Sequence, residues 1–384
     1  MVEAVRSGRS LRSVASSFDV SVATVSSWVD RARGQRLDRV DFGNVKPGRA
    51  ANRLSAKTER RILESRQRLR TSVLGEYGAS AIARDLALRY PGQPLPARAT
   101  IHRALQRHGA VDHAHRQRRA PPPKGWYLPD VAQALAELDS LDYIEGLKIA
   151  DGPLVDVLTA TSLHGALADA WPTARSGSQH AVRCLLERWR NDGLPSYVQF
   201  DNDTAFQGAH QFADSVGRVI RLCLLLEVTP VFAPPREPGF QNAIEGFNGL
   251  WQAKVWRRHQ VDSLAHLDRL SRAYVGAYRA KTASRADGAP ARRPFPKGFE
   301  FDLHAPLFGR VVFLRRTSEA GSLGVLGHQF SVDRHWIRRL VRCEVDFTHG
   351  RIRFYALRRR EPAQQTLLRE VAYVRPDRPF LGTR

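Results

Sequence analysis

The sequence predicts a multidomain α+β protein: helical units first, a mixed α/β core next, and a small β-rich unit last. Three observations carry this. The chain has 384 residues, more than one hydrophobic core usually organises, so about two to four domains are expected. Residues 113–125, HAHRQRRAPPPKG, are basic and proline-rich and divide the chain in two. Beyond them, helical apolar spacing gives way to short β-branched runs alternating with helical ones.

Charge narrows the partners. Lys and Arg number 60 against 38 Asp and Glu, a net charge of +22. An excess of that size selects a polyanion, and nucleic acid before membrane. No apolar run approaches the length of a spanning helix. The three cysteines, Cys184, Cys223 and Cys343, form no CxxC pair. A disulfide framework and a structural zinc site are therefore not expected. The N-terminus, MVEAVRSGRSLRSV, lacks the apolar segment of a signal peptide, so a cytoplasmic protein is expected.

Residues 1–36 read as a helix-turn-helix. Leu11, Val14, Ala15 and Phe18 mark one apolar helical face, and Asp19-Val20 breaks it. Ser21 caps a second helix with Val22, Val25, Trp28 and Val29 inward. Thr24, Ser26 and Ser27 then lie on its outer face, with Thr24 and Ser27 as candidate DNA contacts. Residues 37–54 read as a linker. Residues 55–112 form a second such unit, with helices at Ser55–Arg70, Ala79–Tyr90 and Ala97–His108. On the last, Ile101 and Leu105 turn inward while Arg98, Arg103 and Arg107 turn out as candidate DNA contacts. In the basic linker, Arg116, Arg118 and Arg119 can follow a phosphate backbone.

The core is expected over 126–285. Strands are predicted at 138–149, 153–160 and 164–170, with Asp151-Gly152 as a hairpin turn. Next come a helix at 178–191, a strand at Tyr197–Phe200, a helix at 207–217 and a strand at 228–232. A long helix begins near Gln241, and a last helix at 262–280 closes the unit. Residues 300–384 carry β-like segments at 310–316, 322–332, 340–347, 350–357 and 366–373, which predict a small barrel. Its Arg334, Arg338, Arg339 and Arg342, and Lys254 in the core, are further candidate phosphate contacts.

Three acidic residues sit where this architecture would bring them together. Asp142 lies in the first strand, Asp201 ends the fourth, and Glu245 is in the first turns of the long helix. On that helix Ile244, Phe247 and Trp251 share the apolar face. Phosphodiester cleavage needs an activated water and a stabilised leaving alkoxide, and two Mg²⁺ ions about 3.5–4 Å apart supply both. Mg²⁺ takes oxygen ligands, so two Asp and one Glu suit it, and Mn²⁺ can substitute. Asp139 is a rival for the first position.

At these residues the region 138–280 resembles the catalytic core of retroviral integrases and of bacterial insertion-sequence transposases. Asp142-Tyr143, Asp201-Asn202 and the run from Ala233 to Asn248, APPREPGFQNAIEGFN, carry the resemblance. It implies a ribonuclease H-like fold in which Asp142, Asp201 and Glu245 are the catalytic metal ligands. It further implies binding of element ends and target DNA as a homo-oligomer on nucleoid DNA. Three positions depart from the family pattern. Thr161-Ser162 stands in a segment that lacks the usual Asp and Arg, Gly246 replaces Arg, and Asp203 replaces Gly. An alternative reading is a domesticated DNA-binding regulator that keeps this fold without catalysis.

Overall fold

The computed structural model describes residues 1–40, 54–111, 124–150, 152–209, 212–237, 239–359 and 361–376. Arg116, Arg118 and Arg119 lie outside the described residues, as do most of both linkers and Asp151 of the expected hairpin turn. The chain divides into two compact units, Met1–Arg61 and Ile62–Arg384.

The first unit holds α1 (Val2–Arg6), α2 (Leu11–Ser17) and α3 (Val22–Arg31). Short polar residues start the second and third helices: Ser10 Oγ accepts from Ser13 N and Ser21 Oγ from Thr24 N. Asp19 turns the chain between them with φ 50°. Val14, Ala15 and Val25 form the buried contact. Two assignments change. Phe18 sits at the C-cap with φ −108°, off the helical face, and is 51% exposed. Val22, in the first turn of α3, is 42% exposed.

The boundary falls within α4 (Ala56–Thr71), and the second unit continues with α5 (Ala79–Arg89) and α6 (Arg98–Arg107). Ile62, Ile82, Leu86, Ile101 and Leu105 are buried at helical spacing. Asp85 ties α4 to α5, accepting from Ser65 Oγ at 2.7 Å and from Arg68. The short α7 (Pro129–Ala132) then leads into the sheet.

The sheet begins with β1 (Leu138–Lys148), β2 (Leu154–Ser162) and β3 (Ala168–Thr173), paired antiparallel. After α8 (Ser178–Asp192), β4 (Tyr197–Phe200) pairs parallel with β1. Then follow α9 (Thr204–Gln207), α10 (Arg218–Leu225) and β5 (Thr229–Phe232), the last parallel to β4. The helix expected over 207–217 is not there. Gly208, at φ +87°, and Gly217 bring their backbones into contact, and a Cβ on Gly208 would stand 2.7 Å from Gly217 Cα. That close crossing turns the chain out of one short helix and into another.

After β5 come α11 (Asn242–Trp251), a π-helical turn (Gln252–Trp256) and α12 (Leu264–Asp287). The C-terminal strands are β6 (Arg310–Arg316), β7 (Ser322–Val325), β8 (His328–Ser331), β9 (Leu340–Asp346), β10 (Arg351–Ala356) and β11 (Leu367–Ala372). They do not form the expected separate barrel. The described residues build one open sheet in the order β11-β10-β9-β6-β5-β4-β1-β2-β3, with β7-β8 a ribbon apart. The join is parallel pairing of Val231 with Val312 and of Phe232 with Phe313. The reason is visible in β6, where Val311, Val312, Phe313 and Leu314 are all buried. A strand apolar on both faces belongs inside a sheet covered on both sides.

Strand alternation then sorts the core. Leu141, Leu158 and Ala160 pack with Leu185, Trp189 and Ile220 of α8 and α10. Ile144, Val155 and Val157 pack with Ile244, Phe247 and Trp251 of α11 and with Tyr274 of α12. Each sheet face therefore has its own helical layer.

Candidate functional site

Residues three apart on a strand point to opposite faces, and β1 shows what that decides. Asp139 faces α8, where Arg188 donates to both its oxygens, Nε at 2.9 Å and Nη2 at 3.0 Å. Arg292 binds the same carboxylate at 2.9 and 2.8 Å, and Trp189 Nε1 adds a contact at 3.4 Å. Burial would raise the Asp139 pKa, but the two guanidinium charges overcome it and hold the group far below the usual carboxylate range. Asp139, the rival for the first position, is thus fully committed to a buried ion-pair network.

Asp142 falls on the other face, between Leu138 and Ile144, toward α11. Parallel β1–β4 pairing sets Leu138 against Tyr197, Asp139 against Val198 and Ser140 against Gln199. Carried two residues further, this register brings Asp142 beside Asp201. Burial lifts the Asp142 pKa to about 7, helped by the charges of Asp201, Glu245 and Glu145 and opposed by a backbone bond at Tyr143. Burial also raises Asp201, with Asp203 adding to it, while the Asp203 N–H donates to Asp201 Oδ1 at 3.0 Å. Glu245 stands on the exposed side of α11, whose Ile244, Phe247 and Trp251 are buried. The three acids named from the sequence therefore share one sheet end and one field. Among the described residues, no ion pair ties any of them to Lys or Arg, although the chain carries +22.

The fit to a divalent cation rests on that donor set. All three side chains offer carboxylate oxygen, the ligand type hard cations take. Their mutual repulsion is the electrostatic cost a dication would remove. Among the described residues, however, no three His, Cys, Asp or Glu side chains already form a group able to hold a metal ion. The site offers a gathered negative field rather than a finished cage.

Sequence reasoning missed the supports. Asn248 Nδ2 donates to Asp142 Oδ2 at 2.9 Å. The Thr159 hydroxyl bridges Asn248 Oδ1 at 2.5 Å and the Asp142 carbonyl at 3.0 Å. Thr159 is the β2 partner of Asp142, and Asn248 lies one turn beyond Glu245, so strand register and helix spacing held the signal. Asn202 Nδ2 donates to the Ala233 carbonyl at 2.7 Å, and its Oδ1 accepts from Arg315 at 2.9 Å. Arg315 is half-buried, and desolvation lowers its pKa to about 10. Nothing local in the sequence links Arg315 to Asn202.

The departures from the family pattern have local causes. Asp203 caps α9, accepting from Ala205 N at 2.6 Å. Ser162 Oγ accepts from Leu167 N at 2.9 Å in the β2–β3 turn. Gly246 is exposed in α11, and a Cβ there would meet nothing within 4 Å. Packing does not demand glycine at this position, so Gly246→Ala is expected to stabilise the protein by about 0.5–1 kcal/mol. Urea unfolding checks this, and a lower midpoint would show that Gly246 serves the backbone.

The candidate DNA contacts divide. Ser27 is exposed and Thr24 half-buried on α3, and Arg98, Arg103 and Arg107 are exposed on α6. Lys254 is redirected: its Nζ donates to the Gly75 carbonyl at 2.9 Å, beside Arg258, which binds the Ser72 carbonyl at 2.7 Å. The π-helical turn aims Lys254 at that loop instead of at open surface. In the tail, Arg338 pairs with Glu319, and Arg342 with Glu344 at 3.0 Å. Arg334 is exposed and donates to His335 Nε2 at 3.0 Å. Arg339 and Arg358 both lie over the Trp336 ring, at 4.8 and 5.3 Å from its centroid. With Arg316, Arg338 and Arg359 they line an open basic recess of about 360 Å³.

No helix among the described residues is long and apolar enough to cross a membrane. No family model matches the chain, and no curated protein does. Two solved structures of retroviral integrases align with it. One is a simian T-cell lymphotropic virus intasome in complex with PP2A regulatory subunit B56 gamma, at TM-score 0.34 and 12% identity, covering 78% of this chain and 96% of that one. The other is the catalytic core domain of BIV integrase, at TM-score 0.25 and 16% identity, covering 35% of this chain and 79% of that one. At such scores and identities these likenesses decide nothing about the reaction.

Proposed function

We propose that this protein is a DNA transposase or integrase that binds element ends and catalyses strand cleavage and strand transfer. The observation that carries the reading is the gathering of Asp142, Asp201 and Glu245 from two strands and a helix, with no Lys or Arg paired to them among the described residues. The three would hold two Mg²⁺ ions, which when bound would activate the attacking hydroxyl and stabilise the leaving oxygen. The protein's own groups hold that apparatus in place. Asn248 and Thr159 fix the rotamer of Asp142, the Asp203 N–H fixes Asp201, and Arg315 with Asn202 anchors the turn after β4. Exposed arginines on α6 and at the tail recess would take phosphates, and α3 and α6 would read base edges. The protein would act as a homo-oligomer on paired ends.

The test uses purified full-length protein and labelled duplexes carrying the ends of the element that encodes it. Mg²⁺ should give nicked and joined products, Mn²⁺ should substitute, and chelation should leave binding but no products. Tight binding without products under either metal would overturn catalysis and leave the DNA-binding regulator.

A further inference from the structure

Behind the carboxylates lies a cavity of about 300 Å³, walled by Trp126, Tyr127, Phe240 and Tyr278. Four buried polar atoms that line it have no hydrogen-bond partner: Trp126 Nε1, Ser140 Oγ, Gln199 Nε2 and Gln241 Nε2. Trp126, Ser140 and Gln199 are each 1% exposed. Such atoms are costly unless something fills the space and bonds them. The Tyr127 hydroxyl already serves Gln199 Oε1 at 2.9 Å, which leaves only the Nε2 end of that cavity-lining amide without a partner. Lys124 and Arg285 also line the cavity and converge on the Leu163 carbonyl at 3.3 and 3.2 Å.

The placement of these atoms is not random. Ser140 precedes Asp142 by two residues on the same face of β1, and Gln199 precedes Asp201 by two across β4. Gln241 precedes Glu245 by one helical turn, with Glu245 N donating to its carbonyl at 3.0 Å. Each carboxylate thus has an unpartnered polar group one step behind it, about 7 Å along a strand or about 6 Å along a helix. Gln241 also lines the open recess that contains Asp201, so the cavity and the carboxylate cleft share a wall. One step of that size is the reach from phosphate to base within a nucleotide.

We propose that this cavity receives one flipped-out base of the DNA strand whose phosphodiester lies at the carboxylates. The proposal rests on the reading of that site as a DNA cleavage centre. An extruded base needs flat apolar walls and polar groups for its pairing edge. The tilted rings of Trp126 and Tyr127, 5.5 and 5.3 Å from Phe240, supply the walls. The unpartnered atoms are mainly donors, which suits a base presenting carbonyl oxygens, thymine or guanine before adenine. Lys124 and Arg285 suit the adjoining phosphate.

The test is metal-free titration of the full-length protein with four probes. These are thymidine 5′-monophosphate, 2-deoxyribose 5-phosphate, a short oligothymidylate, and an abasic oligomer of the same length. Base-bearing probes should bind about tenfold or more tightly than their base-free counterparts, and the oligothymidylate more tightly than the mononucleotide. Ser140→Leu fills the cavity and should remove the preference for a base. Gln241→Leu, at the half-buried mouth where the amide caps no backbone group, should do the same and stands in should Ser140→Leu fail to fold. Equal binding of base-bearing and base-free probes would mean a cavity that holds water only, and would overturn the proposal. So would a preference that survives both substitutions. A mononucleotide that binds as tightly as the oligomer would replace the DNA strand with a free nucleotide. Titration needs neither metal nor cleavage, so the two readings separate. Base preference without DNA cleavage removes the cleavage reading alone, and cleavage without base preference removes this one alone.

Discussion

Asp142→Asn is expected to abolish strand cleavage and, above pH 7, to make the metal-free protein more stable than the parent. The first effect follows from the proposed role of Asp142 as a metal ligand, the second from its elevated pKa of about 7. The folded protein holds that proton more tightly than the unfolded chain does. As pH rises from about 4 to about 7, the unfolded chain ionises freely while the folded one must create a charge beside Asp201 and Glu245. Stability therefore falls through that window and stays low above it. Asparagine never ionises, so at pH 8 the variant should exceed the parent by about 2–4 kcal/mol, and at pH 4 the two should match. Adding Mg²⁺ at pH 8 should raise the melting temperature of the parent and leave Asp142→Asn unmoved, because a dication binds the ionised form. Cleavage should drop by about 10³ or more, on the order of 4 kcal/mol in the barrier. Glu245→Gln should lose cleavage to a similar extent with DNA binding intact. An Asp142→Asn protein that cleaves at the parental rate, or that melts lower at pH 8, would remove Asp142 from the metal site.

Asp139→Ala should instead damage the fold. Arg188 and Arg292 both bind Asp139, and Arg188 also binds Asp169 and the Leu167 carbonyl. Arg279 links Asp169 to Asp192. This network clamps β1, β3, α8 and α12 around largely buried charges. Removing one partner of a buried pair leaves the other uncompensated, at about 3–5 kcal/mol, so Asp139→Ala should lower the melting temperature by roughly 10 °C. The pH signature is opposite in sign to that of Asp142. The depressed Asp139 pKa means that its contribution is complete above pH 4 and is lost as pH falls further. Thermal melts of parent and variant should converge in acid. Unchanged melting with lost cleavage would instead make Asp139 a metal ligand.

The contrast between these neighbours shows what the sequence discloses. The choice between Asp139 and Asp142 was open to strand periodicity, since only one of two residues three apart can face α11. The sequence interval between Asp142 and Asp201 also matches the β1–β4 register. Helices α2, α3, α6 and α8 and strand β4 were legible because capping and apolar spacing are local. The union of β5 with β6 was not. It depends on two residue pairs far apart in sequence, and the continuous apolar run in β6 reads alike for a lone barrel strand and for an interior one. Helices α9 and α10 were misplaced because the Gly208–Gly217 crossing is a tertiary contact. The Asn248–Thr159–Asp142 chain lay latent in helix spacing and strand register, whereas the Arg315–Asn202 bond needed three dimensions.

The parallel join between β5 and β6 also governs how the protein can be born. β5 leaves the ribosome roughly 80 residues before its outer neighbour, a delay of ~4–16 s at ordinary translation speeds. Throughout that interval β5 is a bare sheet edge, ready to recruit any extended strand nearby. The flank of the sheet that carries Asp201 is finished only when β6 arrives. Nascent chains stalled before residue 310 should be the aggregation-prone species, and the last fifth of the chain acts as a seal on the part made before it.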